Sequence, residues 1–512
     1  MLRLPTLCRA ALLLLPLPAI ASDQNATALL HRALEAQGGE AKLRALKSVE
    51  WEASGYRNEL EESERPEGPY ITDFLSVTEI HDFAGKRFRN SRDASVYPVY
   101  KTSSITVMDG NVAMRSNGGP ETAGTTHQVE LIQEQMALSP ERLLLTALDA
   151  PDVRREGDTV LQSVPQNVVS FTLDGAPVKI YLNAYTHLPT AVDYSGPLAH
   201  SNFWEFLGDV TQRTYYGEWW LAKGGIHLPM QMNVEGNGHL DQMLVVRKLT
   251  IDGALDESRL TIPAEIRTQF HAKAKPRDVE QIPLGNPKQP AVELAPDVVL
   301  IPGSWNITLV RQEDGVVVIE APISSGYSAK VIAEAHRRFP GEPIKAVITT
   351  SDSWPHLAGI REYVAEGIPI YALDLNRPIL ERVIDDPRTS RPDALTGARR
   401  KPQFHVVHEK TELGTGANRL VIYPIRGETS ERQMMVYFPE HRLLYGSDPF
   451  QQMPDGSFFY PQTVTELMDA VSRERLGVDR FFMMHIGPTP WSELGKAVEA
   501  AEKQNTPNGV LD

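Results

Sequence analysis

Residues 344–359 read IKAVITTSDSWPHLAG. Ile344 to Thr350 is a short apolar and β-branched run, the composition of a strand buried on both faces. A polar loop follows, then a helical pattern from His356 to Glu366, then a second strand at Ile368-Pro-Ile-Tyr-Ala. Upstream, Ile307-Thr-Leu-Val-Arg and Val316-Val-Val-Ile-Glu flank a tight turn at Asp314-Gly315, and Ser328 to Arg338 is an amphipathic helix. Strands that alternate with helices predict a layered α/β unit. It begins near Val298-Val-Leu-Ile, and we bound it at residues 295–512. Residues 262–294 are rich in Pro and charge without any period, which predicts a linker.

Residues 22–261 read differently. Leu29, Leu30, Ala33 and Leu34 form one helical stripe, and Leu43 and Leu46 continue it beyond Gly38-Gly39. Two short helices joined by a Gly turn are expected. Beyond Ser48, β-rich runs alternate with turn clusters: Ser104–Met108 before Asp109-Gly110, Asn167–Leu173 before Asp174-Gly175, then Val178–Leu182, Gln212–Trp220 and Met230–Val234. Gln128 to Ala147 is a helical interruption. The expectation is an antiparallel β-rich domain with helices. The fold class is therefore α+β with two domains.

The first 21 residues are MLRLPTLCRAALLLLPLPAIA. Arg3 and Arg9 precede an apolar run at Ala10–Ile20, and Ala19 and Ala21 make an A-x-A cleavage signal. This is the pattern of a secretory signal peptide, with too short an apolar run to span a bilayer. Cys8, the single cysteine, lies inside it, so the remainder holds no disulfide, thiol nucleophile or thiolate ligand. The product is expected in a periplasm or secreted, without a transmembrane segment. The chain has 512 residues and a formal charge of −15, or −17 once the two arginines are removed. Phosphate neutralisation needs grouped Lys and Arg, so nucleic acid is excluded as a partner. Mean hydropathy of −0.28 excludes a polytopic membrane protein. No Gly-rich phosphate loop and no Gly-x-Ser-x-Gly elbow occurs.

Two resemblances follow from these motifs. The helix ending in Gln-Gly-Gly-Glu-Ala-Lys-Leu-Arg-Ala-Leu-Lys, the β meander, Tyr181-Leu-Asn-Ala-Tyr-Thr-His-Leu-Pro-Thr and Gly225-Ile-His-Leu-Pro resemble the periplasmic lipoprotein-carrier (LolA-like) family. That likeness implies a curled antiparallel β half-barrel around an apolar cavity. The Leu-Pro segments also fit ordinary edge strands, so a scaffold or dimerisation sheet is the alternative. Residues 295–505 resemble the metallo-β-lactamase fold family, which implies an αββα sandwich. The family's ligand loop, Thr-His-x-His-x-Asp-His-x-Gly-Gly, aligns with Thr350-Ser351-Asp352-Ser353-Trp354-Pro355-His356-Leu357-Ala358-Gly359. Only its last histidine, His356, remains. The family's Gly-His-Thr appears as Gly427-Glu428-Thr429, its bridging aspartate as Asp448 and its final histidine as His485.

The resemblance implies an empty first metal position and a second held by His356, Asp448 and His485. Two imidazoles and a carboxylate suit one divalent metal, zinc first, with iron or manganese as alternatives. Glu428 or Asp352 is the candidate general base or partner to an imidazole. Trp354, Ser351 and Ser353 are the candidate substrate contacts, with Tyr327 and Phe450 as further walls. His405 and His408, three apart on a strand, face opposite ways and do not chelate together. Trp219-Trp220 and Tyr215-Tyr216 form an aromatic cluster of the β region.

Two functions are carried forward. One is an exported hydrolase with a mononuclear metal site acting on an ester, lactone, amide or phosphoester. The other is a catalytically inactive protein that binds a small-molecule or lipid-like ligand, in which the metal is absent and the three residues serve as helix, turn and surface partners. Oligomeric state is not readable from the sequence.

Overall fold

The computed structural model describes residues 23–60, 70–96, 100–201, 208–270, 279–452, 458–459 and 463–503. The signal-peptide expectation lies outside these residues. Gln24–Gln37 and Glu40–Ala45 are helices, broken where expected at Gly38 and Gly39. Asp23 caps the first by accepting from the Asn25 N–H. Gly38 takes φ +127° and Gly39 φ +104°, backbone that side-chain-bearing residues rarely adopt.

Among the described residues, fourteen strands between Ser48 and Ile251 form one sheet. The strand Ser48–Asn58 lies near its middle. It pairs antiparallel with Thr72–Asp82 on one side and with His239–Ile251 on the other. Beyond Thr72–Asp82 the order continues through Arg87–Val96 and Tyr100–Asp109. On the other side it continues through Ile226–Gly236 and Gln212–Ala222. The helical interruption is two helices, Thr126–Ala137 and Leu143–Asp149, the first closed by a Thr125–Gln128 capping box.

Along Thr72–Asp82, alternation puts Asp73, Leu75, Val77, Glu79 and His81 on one buried face. Val77, Glu79 and His81 of that face line a cavity of about 1500 Å³, shared with the strands Ser48–Asn58, Ile226–Gly236 and His239–Ile251. Inside it, His81 sits between two carboxylates: Nδ1 is 2.5 Å from Glu141 Oε1 and Nε2 is 2.7 Å from Glu79 Oε1. The ring stacks on Phe88.

From Val292 onward two sheets pack face to face. A seven-stranded sheet runs in the order Val292–Ala295, Val298–Ile301, Ile307–Gln312, Gly315–Ile319, Ile344–Thr349, Ile370–Leu373, Phe404–Val407. Its last three pairings are parallel, as the strand–helix–strand reading requires. A six-stranded sheet holds Leu420–Pro424, Met434–Phe438, Leu443–Tyr445 and Arg480–Phe482. Val317, Ile319, Ala346 and Ile348 of the first meet Ile422, Val436, Tyr445 and Phe482 of the second. Helices Ser325–Arg338 and Ile360–Glu366 bury their apolar faces on the outside of the first sheet. Val464–Arg473 and Ser492–Ala501 do so on the second. The result is four layers, αββα.

One apolar cluster joins Leu30 and Leu34 of the first helix, Val178 and Ile180 of the large sheet, and Val316, Val331 and Tyr363 of the C-terminal layers. Asp209 reinforces this junction by accepting from the backbone N–H and hydroxyl groups of Thr389 and Ser390, at 2.5–3.0 Å. Residues 262–294 contain the helix Ala264–Gln269 and a turn at Val279–Gln281. No helix among the described residues is long and apolar enough to cross a membrane.

Candidate functional site

Parallel pairing brings separate strand ends together. Ile319 pairs with Ile348, so Glu320 and Thr350 leave their strands side by side. Tyr445 pairs in parallel with Phe482, so the segments carrying Asp448 and His485 leave the second sheet at one edge. The Met484 N–H donates to Ser447 O at 3.1 Å and holds that exit. The two sheets are tied at this edge. The Tyr445 hydroxyl donates to Glu320 Oε1 at 2.9 Å, and Ser447 Oγ lies 2.8 Å from Thr350 Oγ1. The Thr350 hydroxyl also donates to Glu320. Glu320 (φ +81°) and Ser447 (φ +61°) both occupy the left-handed region, where non-glycine residues are strained. Such strain concentrates at functional sites.

The result is a chain of four ionisable side chains of alternating sign. Glu320 Oε2 is 3.0 Å from His356 Nδ1. His356 Nε2 is 3.9 Å from Asp448 Oδ2, an ion-pair separation too long for a hydrogen bond. His485 Nε2 is 3.2 Å from the same Oδ2. His485 Nδ1 lies 2.7 Å from the Ser304 carbonyl. Asn306 fixes that contact, since its amide donates to Met483 O at 2.9 Å and its N–H to Met484 O at 2.8 Å. Glu320 and His356 are fully buried, whereas the Asp448 and His485 side chains keep 13% and 23% exposure. The chain thus opens outward at Asp448 and His485.

Burial opposes the charged form of His356, but Glu320 and then Asp448 outweigh it and push its pKa up to about 10. His485 is likewise raised against its burial by Asp448. Burial pushes the Asp448 carboxyl up, and the two histidines together hold it below the usual carboxylate range. Within this cluster, His356 Nε2 and Asp448 Oδ1 are buried and have no hydrogen-bond partner among the described residues. Buried polar atoms are seldom left so.

The structure therefore brings together the three residues expected from the ligand positions, and adds Glu320, which was not singled out as a site residue. Its signal was present: it follows the apolar strand Gly315–Ile319, as Asp448 follows Leu443–Tyr445. Glu428 departs from expectation. It is exposed and makes no hydrogen bond or ion pair to this cluster. The reason is local. Glu466 accepts from the N–H and hydroxyl groups of Thr429 and Ser430 at 2.5–3.2 Å, which turns those two inward and Glu428 out. The carboxylate that reaches an imidazole is Glu320.

Asp352 is buried and faces Arg432, with Oδ2 3.8 Å from Nε. Ser351 is 2% exposed and its hydroxyl accepts from the Ser353 N–H, a turn contact rather than an open substrate contact. Ser353 is half-buried, and the side chain of Trp354 lies outside the described residues. Tyr327 and Phe450 are core residues at 2% and 1% exposure, not walls of a mouth. His405 stacks on Tyr371 and His408 pairs with Asp374, so they do not act together. Tyr216 packs edge-on to Trp219, while Trp220 is exposed.

Among the described residues no group of three or more His, Cys, Asp or Glu is arranged as a metal shell. The donor chemistry nonetheless fits one divalent ion. His356 gives its outer nitrogen to a carboxylate and His485 gives its own to a backbone carbonyl, the partners that fix metal-binding imidazoles. Both Nε2 atoms turn toward Asp448, where orphaned acceptor and ring atoms remain. Ser351 and Ser353, aligned with two histidines only by the sequence resemblance, supply no second set of ligands.

No family model matches the chain, and no curated protein matches it. Solved structures of the metallo-β-lactamase fold do match over part of it. The stereoselective inverting sec-alkylsulfatase from Pseudomonas sp. is 14% identical over 42% of this chain, with TM-score 0.32. The match spans 40% of that enzyme's length. The metallo-β-lactamase from Pontibacter korlensis is 14% identical over 42% of this chain and 99% of its own, with TM-score 0.33. FIM-1 from Pseudomonas aeruginosa, in its mono-zinc form, is 14% identical over 44% of this chain and 97% of its own, with TM-score 0.34.

Proposed function

We propose that this chain is an exported hydrolase whose site works with one divalent metal, zinc first, held by His356, Asp448 and His485. Its substrate is a small or lipid-like ester, lactone, amide or phosphoester. The observation that carries this reading is the orientation of the two imidazoles. Their Nδ1 atoms are engaged by Glu320 and the Ser304 carbonyl, and their Nε2 atoms both face Asp448.

When bound, the ion supplies Lewis acidity toward a carbonyl or phosphoryl oxygen and lowers the pKa of water toward 7. Glu320 holds the His356 ring and selects the tautomer that leaves Nε2 to the site. Ser304 and Asn306 do the same for His485. Asp448 Oδ1 is the acceptor that orients a nucleophilic water and takes its proton. Protons and metal compete for the two Nε2 atoms, so metal affinity rises with pH.

A second reading rests on a specific observation. The 3.2 Å contact between His485 and Asp448 closes an ion-pair chain that is balanced without metal, as in an inactive ligand-binding protein. Plasma mass spectrometry separates the two. We expect about one zinc, iron or manganese per chain in protein purified without chelator or affinity nickel. A His356→Ala/His485→Ala double variant should hold none. No metal in the wild-type chain, even after loading with zinc, iron and manganese in turn, overturns the hydrolase reading in favour of the ion-pair chain. Two metals per chain overturn the single-site assignment.

A further inference from the structure

The loop between the strands Leu420–Pro424 and Met434–Phe438 meets the charged chain at its open end. One of its side chains, Gln433, is held there with idle donors. The Gln433 N–H donates to Ser430 O at 3.1 Å, and Gln433 O accepts from the Ile425 N–H at 2.9 Å. The Met434 N–H donates to Thr350 O at 2.8 Å, which ties the loop to the ligand segment. On the other side, Asn376 Nδ2 donates to Arg432 O at 2.8 Å. The main chain on both sides of Gln433 is therefore fixed.

The side chain is fixed too. Gln433 Oε1 accepts from the Asp448 N–H at 3.2 Å. A backbone N–H only donates, so the atom facing it is the amide oxygen, and the two N–H donors of Nε2 are set on the other side. An amide nitrogen stands about 2.3 Å from its own oxygen, which puts Nε2 within about 6 Å of the Asp448 nitrogen. Gln433 is half-buried, and its Nε2 makes no hydrogen bond among the described residues and is not sealed from solvent. Asp448 and His485 form the exposed end of the charged chain, so these donors stand beside the opening. The cation of the same loop is engaged. Arg432 Nη1 donates to Leu375 O at 2.7 Å, and its Nε is 3.8 Å from Asp352 Oδ2.

We propose that Gln433 is a substrate contact of this site, and that the group it reads is the carbonyl oxygen of an ester, lactone or amide, ahead of a phosphoester. The assignment rests on the hydrolase reading above. Charge collects on a carbonyl oxygen when a nucleophile adds to its carbon, and a donor already held in place meets that charge without rearrangement. One neutral amide suits one such oxygen. The several charged oxygens of a phosphoryl group call for cationic donors, and Arg432 is spoken for. Glu428 turns to solvent, so the loop reaches Asp448 through Gln433.

Calorimetric titration of the zinc-loaded chain with acetohydroxamate, after its zinc has been counted, tests this. Gln433→Glu keeps an oxygen for the Asp448 N–H and removes the donors. Gln433→Met removes both and adds no charge. Each variant is expected to hold zinc as the wild-type chain does and to bind acetohydroxamate about tenfold more weakly, the range of a hydrogen bond to a charged acceptor. Phenylphosphonate should weaken by less than about threefold, and Glu428→Gln should change neither affinity by more than about twofold. If Gln433 only caps the Asp448 N–H, Gln433→Glu keeps the wild-type affinity and the assignment fails. A loss in Gln433→Glu with none in Gln433→Met is charge repulsion and overturns it as well. A loss for phenylphosphonate equal to that for acetohydroxamate overturns the choice of an acyl substrate. A wild-type chain that holds zinc but binds no acetohydroxamate overturns the contact and leaves the metal reading standing. A chain that holds no zinc overturns the metal reading and the contact together.

Discussion

Glu320 Oε2 lies 3.0 Å from His356 Nδ1, with both side chains sealed from solvent. This pair anchors the inner end of the charged chain, and Tyr445 and Thr350 hydrogen-bond the carboxylate from the opposite side. Replacing Glu320 with Gln keeps the volume and leaves the imidazolium facing a neutral amide. Breaking one partner of a buried ion pair costs about 3 kcal/mol. Denaturant unfolding of Glu320→Gln should show that loss as a lower midpoint with unchanged slope. A change below about 1 kcal/mol would mean that His356 is neutral in the native state.

Metal should act on stability as well as on activity. A ligand that binds only the native state, at a hundred times its Kd, adds about 2.7 kcal/mol. Zinc at that excess should raise the Tm of the wild-type chain by several degrees. EDTA should reverse the rise, and the His356→Ala/His485→Ala chain should not respond. An identical rise in the double variant would place the bound zinc outside the cluster.

The large sheet carries its own pH dependence at His81. Burial lowers its pKa, but the Glu141 and Glu79 carboxylates override this and raise it to about 10 against an ordinary 6.5. A group raised on folding contributes fully below its unfolded pKa and loses that contribution as pH climbs through the folded value. Stability should therefore fall progressively between about pH 6.5 and 10. Unfolding midpoints at pH 6, 8 and 10 would check this, with His81→Gln removing that part of the slope. A His81→Gln chain with the wild-type slope would assign the dependence to other groups.

Gly38 tests the expected Gly turn in a position where only glycine fits. An alanine Cβ there would meet the Gly225 carbonyl and lie 2.9 Å from Ile226 Cα, at φ +127°. Neither backbone atom can move without shifting the strand Ile226–Gly236. Gly38→Ala should cost about 2 kcal/mol or more. Gly110→Ala, at φ +62° with open space around the added methyl, should cost less. A reversed order would show that the helix turn yields more easily than the strand hairpin.

Much of this architecture was legible in one dimension. The runs at Ile307, Val316 and Ile344 are strands within a residue or two of expectation, and the Gly38-Gly39 break falls where it was read. The reason is that period and turn chemistry are local properties of the chain. Asp448 and His485 were also legible, since each closely follows an apolar strand. Glu428 was misplaced because its neighbours Thr429 and Ser430 satisfy Glu466, 37 and 36 residues away, and no local pattern reports that contact. Tyr327 and Phe450 were read as walls because a large aromatic beside a loop looks alike whether it faces a mouth or a core.

By itself the sequence determined the strands and helices, the layered α/β order after residue 295, the charge balance, and three of the four groups in the charged chain. Tertiary structure alone decided which carboxylate reaches His356, which loop carboxylate faces solvent, and that His81 stands between Glu141 and Glu79. The physical reason is the same in each case. Alternation tells which face of its strand a residue occupies, but strand pairing decides its neighbours. Ile319 beside Ile348 and Tyr445 beside Phe482 are pairings between residues 29 and 37 positions apart.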